Sequence, residues 1–166
     1  MNDAENYEGK YLTFYLKREL YGIPVSTILQ IIAIPDITPI PNTPKFVKGV
    51  INLRGKIIPV IDLRLKFGIE QTEYNERTSI IVIKIDIDEK EIFIGVIVDT
   101  VAEVIDIDSK EIEERPEFGV KLNTDFILAM AKVNDRVVTL INIPKILSEK
   151  DLSKLTNKAK EEISSE

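Results

Sequence analysis

The strongest constraint on the fold is a segment in which two apolar runs flank a tight polar reversal. The runs cover about 48–53 and 57–61, and Arg54-Gly55-Lys56 lies between them. Gly55 suits a turn position with positive φ, where a side chain would clash, so the segment predicts a β-hairpin. Pro59 has no N–H to donate, which predicts that the second strand is an edge strand or is bulged there. Arg54 is then held out at the turn, either as a solvated charge on a plain hairpin or as a group that contacts a partner.

The rest of the chain repeats this pattern of short apolar runs separated by polar reversals. Its 166 residues suit one domain or two small lobes, and its richness in isoleucine favours strands over helices. We count about nine or ten short strands with few helical segments, which predicts an all-β fold of the barrel class. The polar stretch 69–78 is the best candidate for a connection between lobes, and we expect that link near 66–79.

The first half is predicted to hold strands, helical turns and a proline-rich connection. Alternating apolar positions over 12–16 are typical of a half-buried strand. Ser26 can cap a short helical turn that carries the apolar residues from Ile28 to Ile32. Four prolines between positions 35 and 44 exclude a long helix and indicate an extended connection. Leu63 to Phe67 predicts a second helical turn.

The second half carries stronger strand signals and ends differently. Apolar runs at 80–83 and 92–98 imply strands that are buried on both faces, as in a closed barrel. A last hairpin is predicted between Phe126 and Ile143, reversing at Asn134-Asp135-Arg136. Apolar residues at helical spacing then predict an amphipathic C-terminal helix over 149–164.

The composition excludes several classes of chemistry. The chain has no cysteine and no histidine, which removes disulfides, thiolate nucleophiles, the Ser-His-Asp arrangement and the usual transition-metal ligand. Its net charge is −6 and no cluster of Lys and Arg is visible, which argues against nucleic-acid binding. It has no signal-peptide pattern and no apolar stretch long enough to span a bilayer, so we expect a cytoplasmic protein without a membrane-inserted segment.

Acidic pairs are the remaining candidates for a metal or a catalytic site. Asp86 and Asp88 are expected on one strand face, and Asp106 and Asp108 begin an acidic turn, but neither run has the Gly and Glu positions of an EF-hand loop. We therefore expect no metal and no cofactor. A small β-barrel hydrolase that uses paired carboxylates stays open, because the 28 acidic residues offer many pairs. A β-barrel with exposed apolar side chains and a displayed arginine favours protein binding instead.

Six strings of residues support a more specific interpretation. They are Tyr21-Gly22-Ile23-Pro24-Val25, Ile37-Thr38-Pro39-Ile40-Pro41-Asn42-Thr43-Pro44, the segment from Gly49 to Arg64, Gly95-Val96-Ile97-Val98-Asp99, Arg115-Pro116-Glu117-Phe118, and 138–146. Over about 10–150 these strings resemble the CheW family of bacterial chemotaxis coupling proteins. Asn52-Leu53-Arg54-Gly55 is the most specific of these signals.

The resemblance implies one CheW-like domain over 10–150, made of two packed SH3-like five-stranded barrels. It also implies a non-enzymatic adaptor that couples the cytoplasmic hairpin tips of chemoreceptors to the regulatory domain of the histidine kinase CheA. Such a protein is a monomer in isolation and assembles into receptor arrays beneath the inner membrane. A CheV-type coupling module is the closest alternative, although 166 residues leave no room for its phosphoreceiver domain.

The resemblance also assigns site residues by position. The residues expected in a receptor groove between the barrels are Ile28, Arg54, Ile80, Val101 and Val104. The residues expected to contact the kinase are Gln30, Ile57 and Phe118. Gln30 replaces an acidic residue often found at its position in the family. A helix bound by aliphatic anchors, with Arg54 pairing a carboxylate, fits the physics of such a groove.

Overall fold

The computed structural model describes residues 7–70, 73–87, 89–113 and 126–147. In chain order, the strands are β1 (Gly9–Leu16), β2 (Glu19–Pro24), β3 (Ile28–Ala33), β4 (Val47–Leu53), β5 (Lys56–Asp62), β6 (Ser79–Ile87), β7 (Lys90–Val98), β8 (Thr100–Ile107), β9 (Ile112–Glu113), β10 (Ile127–Val133) and β11 (Arg136–Ile141). The two short helices are α1 (Leu63–Lys66) and α2 (Ile143–Ile146). The predicted all-β class is therefore confirmed.

The described chain divides into two compact units. Unit 1 takes residues 7–26 and 101–147, and unit 2 takes residues 27–100. The link expected near 66–79 is wrong, because that stretch runs from the end of α1 to the start of β6 inside unit 2. The chain changes units after Ser26 and after Thr100 instead. The reason is a pairing that sequence order does not reveal: β2 and β11 pair in parallel and join the two ends of the chain.

Unit 1 contains a six-stranded sheet in the order β8-β1-β2-β11-β10-β9. Alternate side chains of its strands form one apolar cluster, as the period of two in a strand requires. The fully or nearly buried members are Tyr11, Leu20, Ile107, Ala129, Ala131, Val138 and Leu140. The predicted last hairpin is present, and its turn residues Asn134 and Asp135 both have positive φ.

Unit 2 contains a five-stranded sheet in the order β3-β6-β7-β5-β4. Its cluster is built mainly from isoleucine and valine, namely Ile51, Ile58, Val60, Ile80, Val82 and Ile97. The five strands match the number expected for each lobe, whereas unit 1 has a sixth strand, the two-residue β9. Closure of each sheet into an SH3-like barrel stays a prediction, and the C-terminal helix expected over 149–164 lies outside the described residues.

Two local predictions about unit 2 are wrong. The helical turn expected over 28–32 is strand β3: the segment pairs with β6, its side chains alternate between half-buried and exposed, and its isoleucines favour extended backbone. Only Val25–Thr27 forms a turn of 3-10 helix. Strand β5 is not at an edge, since it lies between β7 and β4. Pro59 fits there because it pairs with Val50 of β4, while the pairing with β7 starts one residue later, at Val60.

Candidate functional site

The turn between β4 and β5 holds Arg54 in a defined position. Arg54 and Gly55 have φ of 53° and 85°, which is the conformation of a two-residue turn matched to the twist of a hairpin. The N–H of Gly55 donates to Oδ1 of Asn52 over 2.9 Å, and this bond closes the turn. The side chain of Arg54 is exposed. The backbone is thus fixed while the guanidinium remains accessible.

The neighbouring cation is tied to the sheet. Nζ of Lys56 lies 4.6 Å from the centre of the Phe93 ring, a cation–π contact between the first residue of β5 and the adjacent strand β7. The ring thereby orients the lysine along the sheet. The hairpin tip, defined as residues 52–56, therefore presents one anchored cation and one exposed arginine.

Strand β8 carries two of the predicted receptor contacts. Val104 is 55% exposed, and Val101 is half-buried. Side chains alternate along a strand, so residues three apart point to opposite faces, and β8 does not bring these two valines to one face. Ala102 and Asp106 share the face of Val104 and are exposed as well. The outer face of β8 is therefore centred on Val104.

Strand β3 carries Ile28 and Gln30 at one end of the unit 2 sheet. Both side chains are half-buried, and the register against β6 shifts between them, so that Ile28 lies opposite Ile83 and Gln30 lies opposite Val82. The strand also exposes Leu29 and Ile31 outward, two large apolar residues that are not part of the apolar cluster of unit 2. Sequence reasoning missed this outward face because it placed both residues in a helical turn. The three β-branched isoleucines among these five residues, Ile28, Ile31 and Ile32, were the signal for a strand.

The other predicted residues differ in accessibility. Ile57 is half-buried and packs against Ile40 and Val50. Phe118 lies outside the described residues. Ile80 is fully buried in the apolar cluster of unit 2, so it presents no surface to a partner. Its burial follows from its position in the continuous apolar run of β6, a strand with neighbours on both sides.

A second arginine in the same segment is buried, and sequence reasoning assigned it no role. Arg64 is 1% exposed and meets Asp62 through two bonds, from Nε to Oδ1 at 3.0 Å and from Nη2 to Oδ2 at 2.9 Å. Its Nη1 donates to Oδ1 of Asp99 over 2.8 Å. Asp62 also caps α1, because its Oδ1 accepts from the backbone N–H of Arg64. This ion-pair network joins the ends of β5 and β7.

The carboxylates of the network stabilise the charged form of Arg64. The hydrogen bonds that Arg64 donates to Asp62 outweigh the opposing effect of burial and raise the pKa of Arg64 above its already high ordinary value. The Arg64 guanidinium carbon also lies 5.4 Å from the centre of the Tyr74 ring. Burial raises the pKa of Tyr74, and within the described residues its hydroxyl has no hydrogen-bond partner. The spacing of Asp62 and Arg64 was the sequence signal that could have predicted their ion pair. The contact with Asp99 could not be predicted, because Asp99 lies far away along the chain.

Acidic side chains gather at one cleft of unit 1. Glu8, Asp106 and Asp108 line it together with Gly9 and Ile107. Oδ1 of Asp108 is used for capping, since it accepts from the N–H of Lys110 and from Oγ of Ser109. Across the described ranges, no group of three or more Asp and Glu side chains is arranged to hold a metal ion. None of the described helices is long and apolar enough to cross a membrane.

Two small β-sheet units, with exposed apolar side chains on end strands and an arginine displayed at a hairpin tip, define a module for binding other proteins. The model of the CheW-like domain family matches residues 10–151. The chain belongs to this family.

Several relatives match over most of their length. The chain is 36% identical to the chemotaxis protein CheW of Klebsiella aerogenes, covering 95% of this chain and 92% of the relative. The CheW protein of Helicobacter pylori is 34% identical, with 84% and 82% covered. The crystal structure of the scaffolding protein TtCheW from Thermoanaerobacter tengcongensis matches with a TM-score of 0.74 and 37% identity, covering 87% of this chain and 95% of that one.

A more distant relative is a CheV protein, the class named above as the alternative. The chemotaxis protein CheV3 of Helicobacter pylori is 26% identical over 163 residues, which is 97% of this chain and 48% of the relative. The chain thus matches about half of CheV3, against more than four-fifths of the CheW proteins named above.

Proposed function

We propose that this protein is a non-enzymatic adaptor that couples the cytoplasmic hairpin tips of chemoreceptors to the histidine kinase CheA. It acts in the cytoplasm, at receptor arrays beneath the inner membrane, and is a monomer until it assembles there. The observation that supports this most directly is the exposed Arg54 on a closed two-residue turn, in a chain of the CheW-like family. Adaptors of this kind need surfaces that recognise partners and no reacting groups.

The proposed receptor site uses Arg54 with Ile28, Val101 and Val104. A receptor tip is a helical hairpin, and helices are bound by aliphatic anchors together with a charged contact at the rim. The Arg54 guanidinium can form a bidentate pair with a carboxylate of the receptor, because both groups are planar and carry two bonding positions. Ile80 supports this site from the core of unit 2 without touching the partner.

The proposed kinase site uses Gln30, Ile57 and Phe118. Gln30 lies on β3, whose outward face adds Leu29 and Ile31 as apolar contacts. An end strand with exposed apolar side chains is a ready surface for another protein, because among the described strands its outer edge has no neighbour in the sheet. Gln30 lies between Leu29 and Ile31 on the strand but is half-buried, so it can offer hydrogen bonds beside the exposed residues, in place of a charge.

Charge reversal at the hairpin tip tests the receptor site. Arg54→Glu should weaken binding of a receptor cytoplasmic fragment by at least about tenfold, since it replaces an attractive ion pair with a repulsive one. Binding is measured by titration calorimetry, with CheA binding measured in parallel. Arg18→Glu is the matched control, because Arg18 is also exposed in the turn of a β-hairpin, between β1 and β2. If both variants lose receptor affinity equally, the effect comes from the overall charge of the protein and not from a contact made by Arg54.

The adaptor role itself is tested by reconstitution. The protein, a receptor fragment and CheA should form a ternary complex in which kinase activity differs from that of CheA alone. Sedimentation reports the complex, and phosphate transfer from ATP reports the activity. Absence of binding to both partners at tens of micromolar rejects the proposal.

A further inference from the structure

A buried threonine of β1 holds the backbone of β8. Oγ1 of Thr13 donates to the carbonyl oxygen of Glu103 over 2.7 Å and accepts from the N–H of the same residue over 3.1 Å. Thr13 is 1% exposed, so water does not compete for these bonds. One hydroxyl thus satisfies both backbone groups of a residue on the neighbouring strand, a task that a strand backbone usually performs.

The side chain of Glu103 is held by the same unit. Nη2 of Arg136 lies 3.5 Å from Oε1 of Glu103, and Nη1 of Arg136 donates to the hydroxyl of Tyr15 over 3.1 Å. This surface ion pair is weak on its own, because solvent screens it. It adds a second contact to the residue whose backbone Thr13 already fixes.

The position of β8 in the sheet makes this anchor important. Strand β8 lies at the end of the described sheet of unit 1 and has β1 as its neighbour. An end strand is held by pairing on one side only, so its outward side chains are located by that single neighbour. Val104, the residue after Glu103, is the exposed centre of the outer face of β8. The Thr13 hydroxyl therefore fixes the backbone of the residue that directly precedes Val104.

We propose that Thr13 is a positioning residue for receptor binding. Its hydroxyl holds Glu103 and thereby sets where β8 presents Val104 to the receptor. This inference depends on the proposed receptor site. It predicts a residue that touches no partner and still determines receptor affinity, with little effect on the kinase contacts proposed for Gln30 and Ile57 in unit 2.

The test compares Thr13→Val, which keeps the shape and removes the hydroxyl, with Thr13→Ser, which keeps the hydroxyl. Thr13→Val should raise the Kd for a receptor cytoplasmic fragment by about three- to thirtyfold and leave the Kd for CheA unchanged within about twofold. Thr13→Ser should stay close to the parent protein. Hydrogen exchange gives an independent readout, because the Glu103 amide should exchange faster in Thr13→Val alone.

Two controls separate the possible failures. Ile107→Val removes a methylene from the buried end of β8 and serves as a control for a general loss of stability. It should lower stability without changing receptor affinity. If it weakens binding as much as Thr13→Val, or if Thr13→Ser fails to restore it, the positioning role is overturned. Val104→Ala tests the receptor site itself. If Val104→Ala does not change receptor affinity, Val104 is not part of a receptor site. If Val104→Ala weakens receptor binding and Thr13→Val does not, the receptor site stands and only the positioning role of Thr13 is rejected.

Discussion

The two ends of the β4–β5 hairpin contain the same residue type in opposite surroundings. At the tip, Arg54 is exposed on a two-residue turn. At the base, which we define as Gly49, Asp62, Arg64, Tyr74 and Asp99, Arg64 is buried between two carboxylates. One hairpin thus exposes a charge to solvent at one end and uses a charge to hold its own sheet at the other.

The difference shows what decides the role of an arginine in this segment. Arg64 follows a capping aspartate and lies in the first turn of α1, so its side chain folds back onto Asp62. Arg54 has a turn glycine after it and no carboxylate within reach in sequence. A buried guanidinium costs desolvation and must be paired, whereas a displayed one keeps its hydration until a partner replaces it.

The largest expected effect is at the base. Arg64→Met keeps an apolar stem of similar length and leaves Asp62 buried without its partner, so unfolding free energy should fall by about 3–5 kcal/mol. Urea denaturation followed by circular dichroism measures this loss. Asp62→Asn combined with Arg64→Met should regain part of it, because the double variant no longer buries an uncompensated charge. A loss below about 1 kcal/mol in the single variant contradicts the structural role of the network.

The next largest effect is a difference in stability between alanine substitutions of glycines at the two ends of the hairpin. A Cβ on Gly49, where φ is +141°, would lie 2.0 Å from the carbonyl oxygen of Thr38, whose backbone is fixed by two bonds to Val50. Gly49→Ala should therefore cost about 2–4 kcal/mol. Gly55, at +85°, has no atom within 4 Å of the added carbon, so Gly55→Ala should cost about 1 kcal/mol from backbone strain alone. Similar losses in both variants, measured by urea denaturation, would erase this contrast.

Much of the tip was predictable from sequence, and little of the base was. A glycine turn between apolar runs is a local signal, so the hairpin around Arg54 followed from the residues themselves. The bonds from Arg64 to Asp99 join residues far apart in the chain, and only the parallel pairing of β5 with β7 brings them together. The predicted link between lobes was wrong for the same reason, since the parallel pair of β2 and β11 joins strands from opposite ends of the chain.

Strand β3 shows a different limit. A serine cap before apolar residues predicts a helical turn, yet tertiary pairing with β6 overrode this preference and exposed Leu29 and Ile31. The burial of Ile80 was foreseeable, because a continuous apolar run already indicated a strand covered on both faces. Ile80 was assigned to the receptor groove by resemblance, and its burial excludes it as a direct contact.

An alkaline titration compares the base with the rest of the protein. Burial raises the pKa of Tyr74, so the folded state holds this proton more tightly than the unfolded chain, whose tyrosines titrate near about 10. The stabilisation is complete below about pH 10 and is lost as the pH rises through the folded pKa. Tyr74→Phe removes this dependence, so its stability relative to the parent should rise above about pH 10. Parallel denaturation curves at pH 7.5 and 10.5 measure the difference in unfolding free energy between Tyr74→Phe and the parent protein. If this difference is the same at both pH values, the pKa of Tyr74 is not raised by folding.

A smaller effect is expected from the turn bond at the tip. Asn52→Ala removes the oxygen that accepts from the Gly55 N–H, a bond that is exposed to solvent. Water can replace it in part, so the loss in unfolding free energy should be about 0.5–1 kcal/mol, measured by thermal melting. Asn52→Asp keeps an acceptor at this position and should lose less. Receptor affinity should fall in Asn52→Ala, because the turn that aims Arg54 is loosened.

Arg54→Ala should have the smallest effect on stability and thereby sharpens the comparison most. The side chain is exposed and the left-handed backbone conformation is shared by both residue types, so the change should stay within about 0.5 kcal/mol. Arg54→Gly separates backbone from side chain, because glycine relieves any strain at φ 53° and should be equally stable or slightly more so. Both variants should lose receptor binding while melting like the parent. A substantial drop in melting temperature for Arg54→Ala would assign this arginine to the scaffold, as Arg64 is, and the two ends of the hairpin would then no longer differ in role.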